Sequence, residues 1–163
     1  MSFNIKNSRD FFPFLASKKN INRIYFDNAA TTHKPQVVID EIAKFYTDSN
    51  SNIHRSSHDL GASSTLGYEE TRELIKNFIS ARYTKEIVYT SGATESINLV
   101  ASSYKNQVSR GDIIFVSPVE HHANLIPWQR LADEKGAVIK KVPIKENFQF
   151  DINKLKFFGI END

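Results

Sequence analysis

Apolar residues recur at helical spacing over several stretches, separated by short apolar runs and polar turns. Pro35 suits the first turn of a helix, and Val38, Ile42 and Phe45 then follow at three- and four-residue intervals, predicting one apolar face. A longer helix is predicted over 63–79, with Thr71, Leu74, Ile75, Phe78 and Ile79 on one side. Farther on, Ile97, Val100, Tyr104 and Val108 share a face at the same period. Another helix is expected over 124–135, and Asp151 is placed to cap a last one. Strands are predicted at 86–90, at the near-continuous apolar run 113–116 and at 137–142. The run 113–116 reads as a strand covered on both faces.

Ahead of these elements, Phe11, Phe12, Phe14 and Leu15 predict a short docking helix over 8–15, and 23–26 predicts a short strand. Residues 27–32 form a small polar turn region, and 49–60 has no period and predicts an irregular loop. From residue 86 onward strand and helix alternate, the mark of an α/β protein with a mostly parallel sheet. Such sheets place ligands at the carboxyl ends of their strands. Two segments fall there, 91–95 and 118–124.

Composition narrows the function classes. The 163 residues are 40% hydrophobic, enough for an ordinary core. The net charge of +2, from 21 basic and 19 acidic residues, gives no reason to expect nucleic acid or an anionic membrane as partner. There is no cysteine, so disulfides, thiolate metal sites and a cysteine nucleophile are excluded from these residues. No secretory signal pattern and no membrane-length apolar run is present, and the expected location is the cytoplasm.

Three segments carry candidate chemistry. In Thr90-Ser91-Gly92-Ala93-Thr94-Glu95 a small-residue turn leads from a strand into a helix. Free N–H groups and the helix dipole there make an anion site. On the motif alone, an ordinary cap by Ser91 or Thr94 is the simpler reading. In Glu120-His121-His122-Ala123-Asn124, one histidine either stacks on a flat ligand or moves a proton, or both are ordinary hydrogen-bonded surface residues. In the irregular loop, Arg55 suits a carboxylate or phosphate, and His54 and His58 are not expected to hold a metal because the segment is not helical. Glu69, Glu70, Arg72 and Glu73 read as a solvated helix face.

Taken in order, these segments resemble the class V aminotransferase family, and within it the cysteine desulfurases of the sulfur-mobilisation type. The carrying stretches are Tyr25-Phe26-Asp27-Asn28-Ala29-Ala30-Thr31-Thr32 with Lys34-Pro35, and Asn52-Ile53-His54-Arg55 with His58. They continue with Thr90 through Val100, then Gly111-Asp112, then Glu120-His121-His122-Ala123-Asn124-Leu125-Ile126-Pro127-Trp128-Gln129. The resemblance runs from about residue 8 to about residue 156 and covers less than half of a family member.

The resemblance implies part of the large domain of a fold type I pyridoxal 5′-phosphate (PLP) transferase, a mostly parallel sheet flanked by helices with an N-terminal helical segment. Residues 1–34 would form that segment and the substrate-pocket turn, 35–156 the first part of the PLP-binding domain, and 157–163 an atypical end of the kind a frameshift or early stop leaves. Ala93 and Thr94 match positions that hold the PLP phosphate, and His121 matches the histidine stacked on the pyridine ring. Ala29 and Ala30 match the turn lining the substrate pocket. His54 and Arg55 match a loop at the dimer interface, with Glu95 as ion-pair partner for Arg55. Ser56 stands where the family usually has glycine.

The implied activity converts L-cysteine to L-alanine and passes sulfur on as a persulfide for iron–sulfur cluster assembly. The implied partners are a second copy of the chain and a sulfur-acceptor protein. The lysine that anchors the cofactor, the aspartate on the pyridine nitrogen, the catalytic cysteine and a carboxylate-binding arginine all match positions beyond residue 163. The 163 residues alone are therefore expected to be inactive and to bind PLP weakly or not at all. Other readings are a non-catalytic remnant, a piece that binds a complementary C-terminal chain, and a selenocysteine lyase or other class V enzyme.

Overall fold

A computed structural model describes residues 5–55 and 57–155, and the predicted atypical end at 157–163 lies outside them. The chain divides into two units, Met1–Ile87 and Val88–Asp163.

In the first unit, a 3-10 turn Ile5–Phe11 leads to the single-turn helix α1, Pro13–Ala16. The predicted docking helix is thus broken in two, at the point where Pro13 opens a new turn. Arg9 gathers the chain that follows: its guanidinium donates to the carbonyls of Leu15, Asn20, Ile21 and Arg23 at 3.2–3.4 Å. Buried Asn20 adds a bond from Nδ2 to Phe14 O at 3.0 Å. The strand expected at 23–26 is absent. A strand needs a neighbour for its backbone groups, and here the Arg23 carbonyl is taken by Arg9, while Phe26 stands 92% exposed. Tyr25 instead ties the following turn together, its hydroxyl donating to the carbonyls of Asp27 and Thr31 at 3.0 and 2.9 Å. His33 stacks on Phe14 with ring centroids 4.0 Å apart.

Pro35 caps α2, Gln36–Lys44, which runs on into a wider turn Phe45–Ser49. Its predicted apolar face is uncovered, with Val38 and Ile42 exposed. Helix α3, Asp59–Phe78, begins earlier than expected because the His58 side chain caps it, Nδ1 accepting the Gly61 N–H at 3.2 Å. A 3-10 turn Thr84–Glu86 follows, closed by Glu86 Oε2 accepting the N–H groups of Arg82 and Tyr83.

The second unit opens on 88–90, where the other missing strand was expected; among the described residues this stretch has no ladder partner. Helix α4, Ala93–Tyr104, then reaches the turn 109–112, where the Ser109 N–H donates to Asp112 Oδ2 at 2.7 Å. Strand β1, Ile113–Val116, is followed by a loop, a 3-10 turn His122–Asn124 and helix α5, Ile126–Lys135. Gly136 ends α5 at φ +70°, a conformation that favours glycine, and its N–H closes on Ala132 O. Strand β2, Val138–Lys141, pairs in parallel with β1, Ile113 opposite Val138 and Val116 opposite Lys141. A parallel pair needs a crossover, and α5 supplies it.

Packing is concentrated where the crossover helix meets α4 and the strand ends. Ala101, Val116, Leu131 and Ala132 are each at most 6% exposed. Covering of β1 is graded, from exposed Ile113 to buried Val116, so the expected strand covered on both faces is met only at its carboxyl end. Beyond β2, Ile144 and Phe150 form an antiparallel bridge, and the predicted cap is present: Asp151 Oδ1 accepts the Lys154 N–H at 3.3 Å over α6, Ile152–Leu155. The second unit is an α/β arrangement, a parallel strand pair flanked by helices.

Candidate functional site

The turn into α4 presents an anion-binding geometry. The Ser96 N–H is the first to join the helical ladder, bonding Gly92 O at 3.1 Å. The N–H groups of Ala93, Thr94 and Glu95 precede that ladder and face outward at the positive end of the helix dipole. Gly92 is extended, and a Cβ placed on it would meet nothing within 4 Å, so the approach is open.

Side chains brace this turn without blocking it. The hydroxyls of Thr90 and Ser96 lie 2.7 Å apart, and that of Thr90 also donates to Gly92 O at 3.2 Å. Glu95 Oε2 accepts both the N–H and the hydroxyl of Ser91. Those two bonds, the hydroxyl's first, hold the Glu95 carboxyl below its ordinary range. The Glu95 carboxylate therefore already has a local partner on its own turn.

Helix α4 also packs against the short turn that carries His121. His121 Nδ1 accepts the Ala123 N–H at 3.1 Å, which assigns the ring proton to Nε2. The ring is exposed and lies edge-on to His122 at 6.3 Å. An exposed imidazole ring suits a flat ligand, and the open start of α4 suits an anionic arm. Three further residues support the turn and were not singled out from sequence. Asn124 Nδ2 donates to Glu120 Oε1 at 2.6 Å, and Trp128 Nε1 donates to Asn124 Oδ1 at 2.9 Å. Their signal was present in the four-residue spacing of Glu120, Asn124 and Trp128.

The other predicted residues belong to the first unit. Ala29 and Ala30 are exposed in a turn closed by Ala30 N–H and Thr31 N–H donating to Asp27 O, each at 3.2 Å. His54 takes a left-handed φ of +64°. It is held there by its N–H donating to Thr65 Oγ1 at 2.9 Å, by Nε2 lying 3.5 Å from Glu69, and by edge contact with the Tyr68 ring at 5.3 Å. Arg55 is exposed and Ser56 lies outside the described residues. Glu69 also meets Arg72 at 3.5 Å, so this stretch of α3 is the anchor of the His54 loop as well as a solvated face. His58 serves as the helix cap.

Residues 24–158 match the family model for aminotransferase class V. The chain belongs to that family. It is 45% identical over 156 residues to a cysteine desulfurase of Synechococcus elongatus, covering 94% of this chain and 25% of that protein. In three dimensions it is similar to the apo cysteine desulfurase of Thermococcus onnurineus, with a TM-score of 0.84 and 33% identity, covering 96% of this chain and 38% of that one. It is similar as well to the cysteine desulfurase CsdA of Escherichia coli in an S-sulfonic acid form, with a TM-score of 0.78 and 37% identity over 97% of this chain and 39% of that one. This class V chain thus spans between a quarter and two fifths of the length of these relatives, and the match falls in their N-terminal part.

Proposed function

We propose that this chain supplies the phosphate cup and ring-stacking histidine of a cysteine desulfurase, which converts L-cysteine to L-alanine and passes sulfur on as a persulfide for iron–sulfur cluster assembly. The observation that carries the reading is the packing of α4, with its open N-terminus, against the turn bearing His121 in a class V chain. Those residues fit PLP. A phosphate suits N–H donors at a helix start, and a pyridine ring suits the exposed face of a neutral imidazole.

When bound, PLP supplies an electron-withdrawing ring that takes up the electron pair left as the substrate α-proton departs. The residues of this chain bind and orient. The N–H groups of Ala93 and Thr94 hold the phosphate, with the Thr94 hydroxyl as a further donor. His121 stacks on the ring while its Nδ1 stays bound to the Ala123 N–H, fixing the face it presents. The small Ala29-Ala30 turn leaves room for substrate. The His54-Arg55 loop belongs to the interface with a second copy, where the Arg55 guanidinium grips a carboxylate and Glu95 is its candidate partner.

The sulfur-accepting thiolate comes from outside these 163 residues, which contain no cysteine. The anchoring lysine and the pyridine-nitrogen aspartate are likewise contributed from outside them. A sulfur-acceptor protein is the further partner. The same reading places the protein in the cytoplasm; among the described residues no helix is long and apolar enough to cross a membrane.

Titrating PLP into the purified chain tests this, followed by amide NMR and by absorbance before and after borohydride, with mass spectrometry of the product. Shifts should centre on Ala93, Thr94 and His121, with no site-specific lysine adduct and no alanine formed from cysteine. Shifts confined to other residues overturn the site. A specific lysine adduct or alanine release overturns the assignment of anchor and thiolate to other residues.

A further inference from the structure

We infer that Glu120, Asn124 and Trp128 form a tether that sets the orientation and tautomer of His121, making Trp128 a positioning residue for ring stacking. The inference rests on the placement of the cofactor ring on His121 proposed above.

A 3-10 turn of three residues has poor hydrogen-bond geometry and little stability of its own. The turn His122–Asn124 has two backbone bonds to hold it, Asn124 N–H to His121 O at 2.8 Å and Leu125 N–H to His122 O at 3.1 Å. His121 sits at its first edge and is exposed. Stability must therefore come from neighbouring elements. Helices α4 and α5 both pack against the turn, and α5, with Pro127, Leu131 and Ala132 buried, is the one that its side-chain bonds reach.

Asn124 is the link between the two. An indole N–H can only donate, so Trp128 fixes the Asn124 carbonyl toward itself at 2.9 Å. The Asn124 amide nitrogen must then point the other way, where the Glu120 carboxylate accepts it at 2.6 Å. Glu120 directly precedes His121, so the rigid helix is joined to the backbone on the N-terminal side of the histidine. With both ends of the turn held, the Ala123 N–H stays aimed at His121 Nδ1 at 3.1 Å. That bond excludes the tautomer with a proton on Nδ1. Trp128 also lines an apolar groove with Val100, Tyr104, Ile113 and Phe115, so plain packing is the competing role for its ring. The two roles separate at the indole N–H.

The test uses the 163-residue chain without cofactor. Ring nitrogen NMR reads the tautomer of His121, and hydrogen exchange reads the Ala123 amide. Trp128 is the only tryptophan, so its indole N–H gives a single resonance. In the parent chain the Nε2–H tautomer should dominate and the Ala123 amide should be protected. W128F keeps an aromatic ring for packing and removes the donor. It should shift the tautomer toward a mixture and speed Ala123 exchange about tenfold, the change expected for losing one ~1.4 kcal/mol constraint.

E120A should act in the same direction, and E120Q, whose side-chain oxygen still accepts from Asn124, should restore the parent behaviour. If Asn124→Ala fails to fold, W128F and E120Q decide the matter alone. An unchanged tautomer and unchanged Ala123 exchange in W128F overturn the tether and leave a packing role. Adding PLP afterward separates the two proposals. PLP-induced shifts confined to residues other than Ala93, Thr94 and His121, with the W128F effect present, sink the cofactor placement and not the tether. A normal PLP shift with no W128F effect does the reverse.

Discussion

The carboxylate of Glu95 closes back on Ser91, accepting its backbone N–H at 2.7 Å and its hydroxyl at 2.6 Å. This pair holds the turn whose next N–H groups are offered to an anion. The same bonds lower the Glu95 pKa from its ordinary 4.5. A carboxyl with a lowered folded-state pKa contributes stability that is fully present above the unfolded value and is lost as pH falls through the folded one. The Ser91–Glu95 closure should therefore persist at pH 4.5, where an unperturbed glutamate is half protonated, and open only at more acid pH. The Ser91 amide resonance, followed through an acid titration, reports it. Titration of that resonance at or above 4.5 contradicts the assignment.

A second closure fixes the His54 loop. Thr65 Oγ1 accepts the His54 N–H while donating to Gly61 O at 2.7 Å, so one hydroxyl joins the loop to α3. It holds His54 in a left-handed conformation that costs a residue other than glycine about 1–2 kcal/mol. Thr65→Val removes the hydroxyl and keeps the shape. It should destabilise the first unit by about 1 kcal/mol and expose the His54 amide to exchange. Thr65→Ser should retain most of the protection. Equal exchange in the parent, Val and Ser chains would show that the Glu69 and Tyr68 contacts hold the loop without the hydroxyl.

What could be read from the sequence divides along physical lines. Helices with their own punctuation were legible: Pro35 before α2, the Gly92 region before α4 and Asp151 before α6 all act locally. The β1–α5–β2 unit was legible because its apolar runs and crossover are contiguous. The strands expected at 23–26 and 86–90 failed for the opposite reason. An apolar run becomes a strand only when a neighbour takes its N–H and C=O groups, and that depends on residues distant in sequence. At the candidate site, Ala93, Thr94 and His121 stood out by motif. The tether from Trp128 did not, because Asn124 and Glu120 look like ordinary polar residues until their partners are placed.

Gly136 offers a sharper test of the second unit. It ends α5 at φ +70°, and a Cβ there would lie 3.1 Å from Arg110 Cγ. Its carbonyl accepts the Gly111 N–H at 2.9 Å, joining the two turns that flank β1 and β2. Gly136→Ala meets the left-handed penalty of about 1–2 kcal/mol. The Arg110 contact adds little, since a long side chain can move. Gly136→Asn should cost less, because asparagine tolerates this conformation. Urea unfolding midpoints should fall in the order glycine, asparagine, alanine. An alanine variant as stable as the parent would mean that the helix end can rearrange.

The uneven covering of the chain predicts opposite outcomes for two apolar residues. Leu131 on α5 is 5% exposed, whereas Phe78 at the end of α3 is 89% exposed and Leu74, one turn before it, is 69% exposed. Leu131→Ala leaves a cavity beside Ala101 and should cost about 2–5 kcal/mol, a large share of a small unit's stability. Phe78→Ser removes only solvent-facing surface and should change stability by less than about 0.5 kcal/mol. It should, however, reduce binding of an apolar dye and concentration-dependent light scattering, because neighbouring exposed apolar side chains drive association. Denaturant unfolding and light scattering on the same two variants separate these effects. If Phe78→Ser instead lowers the unfolding midpoint as Leu131→Ala does, the α3 stripe is covered in solution. A surface that a second copy or a partner chain covers would then account for its apolar character.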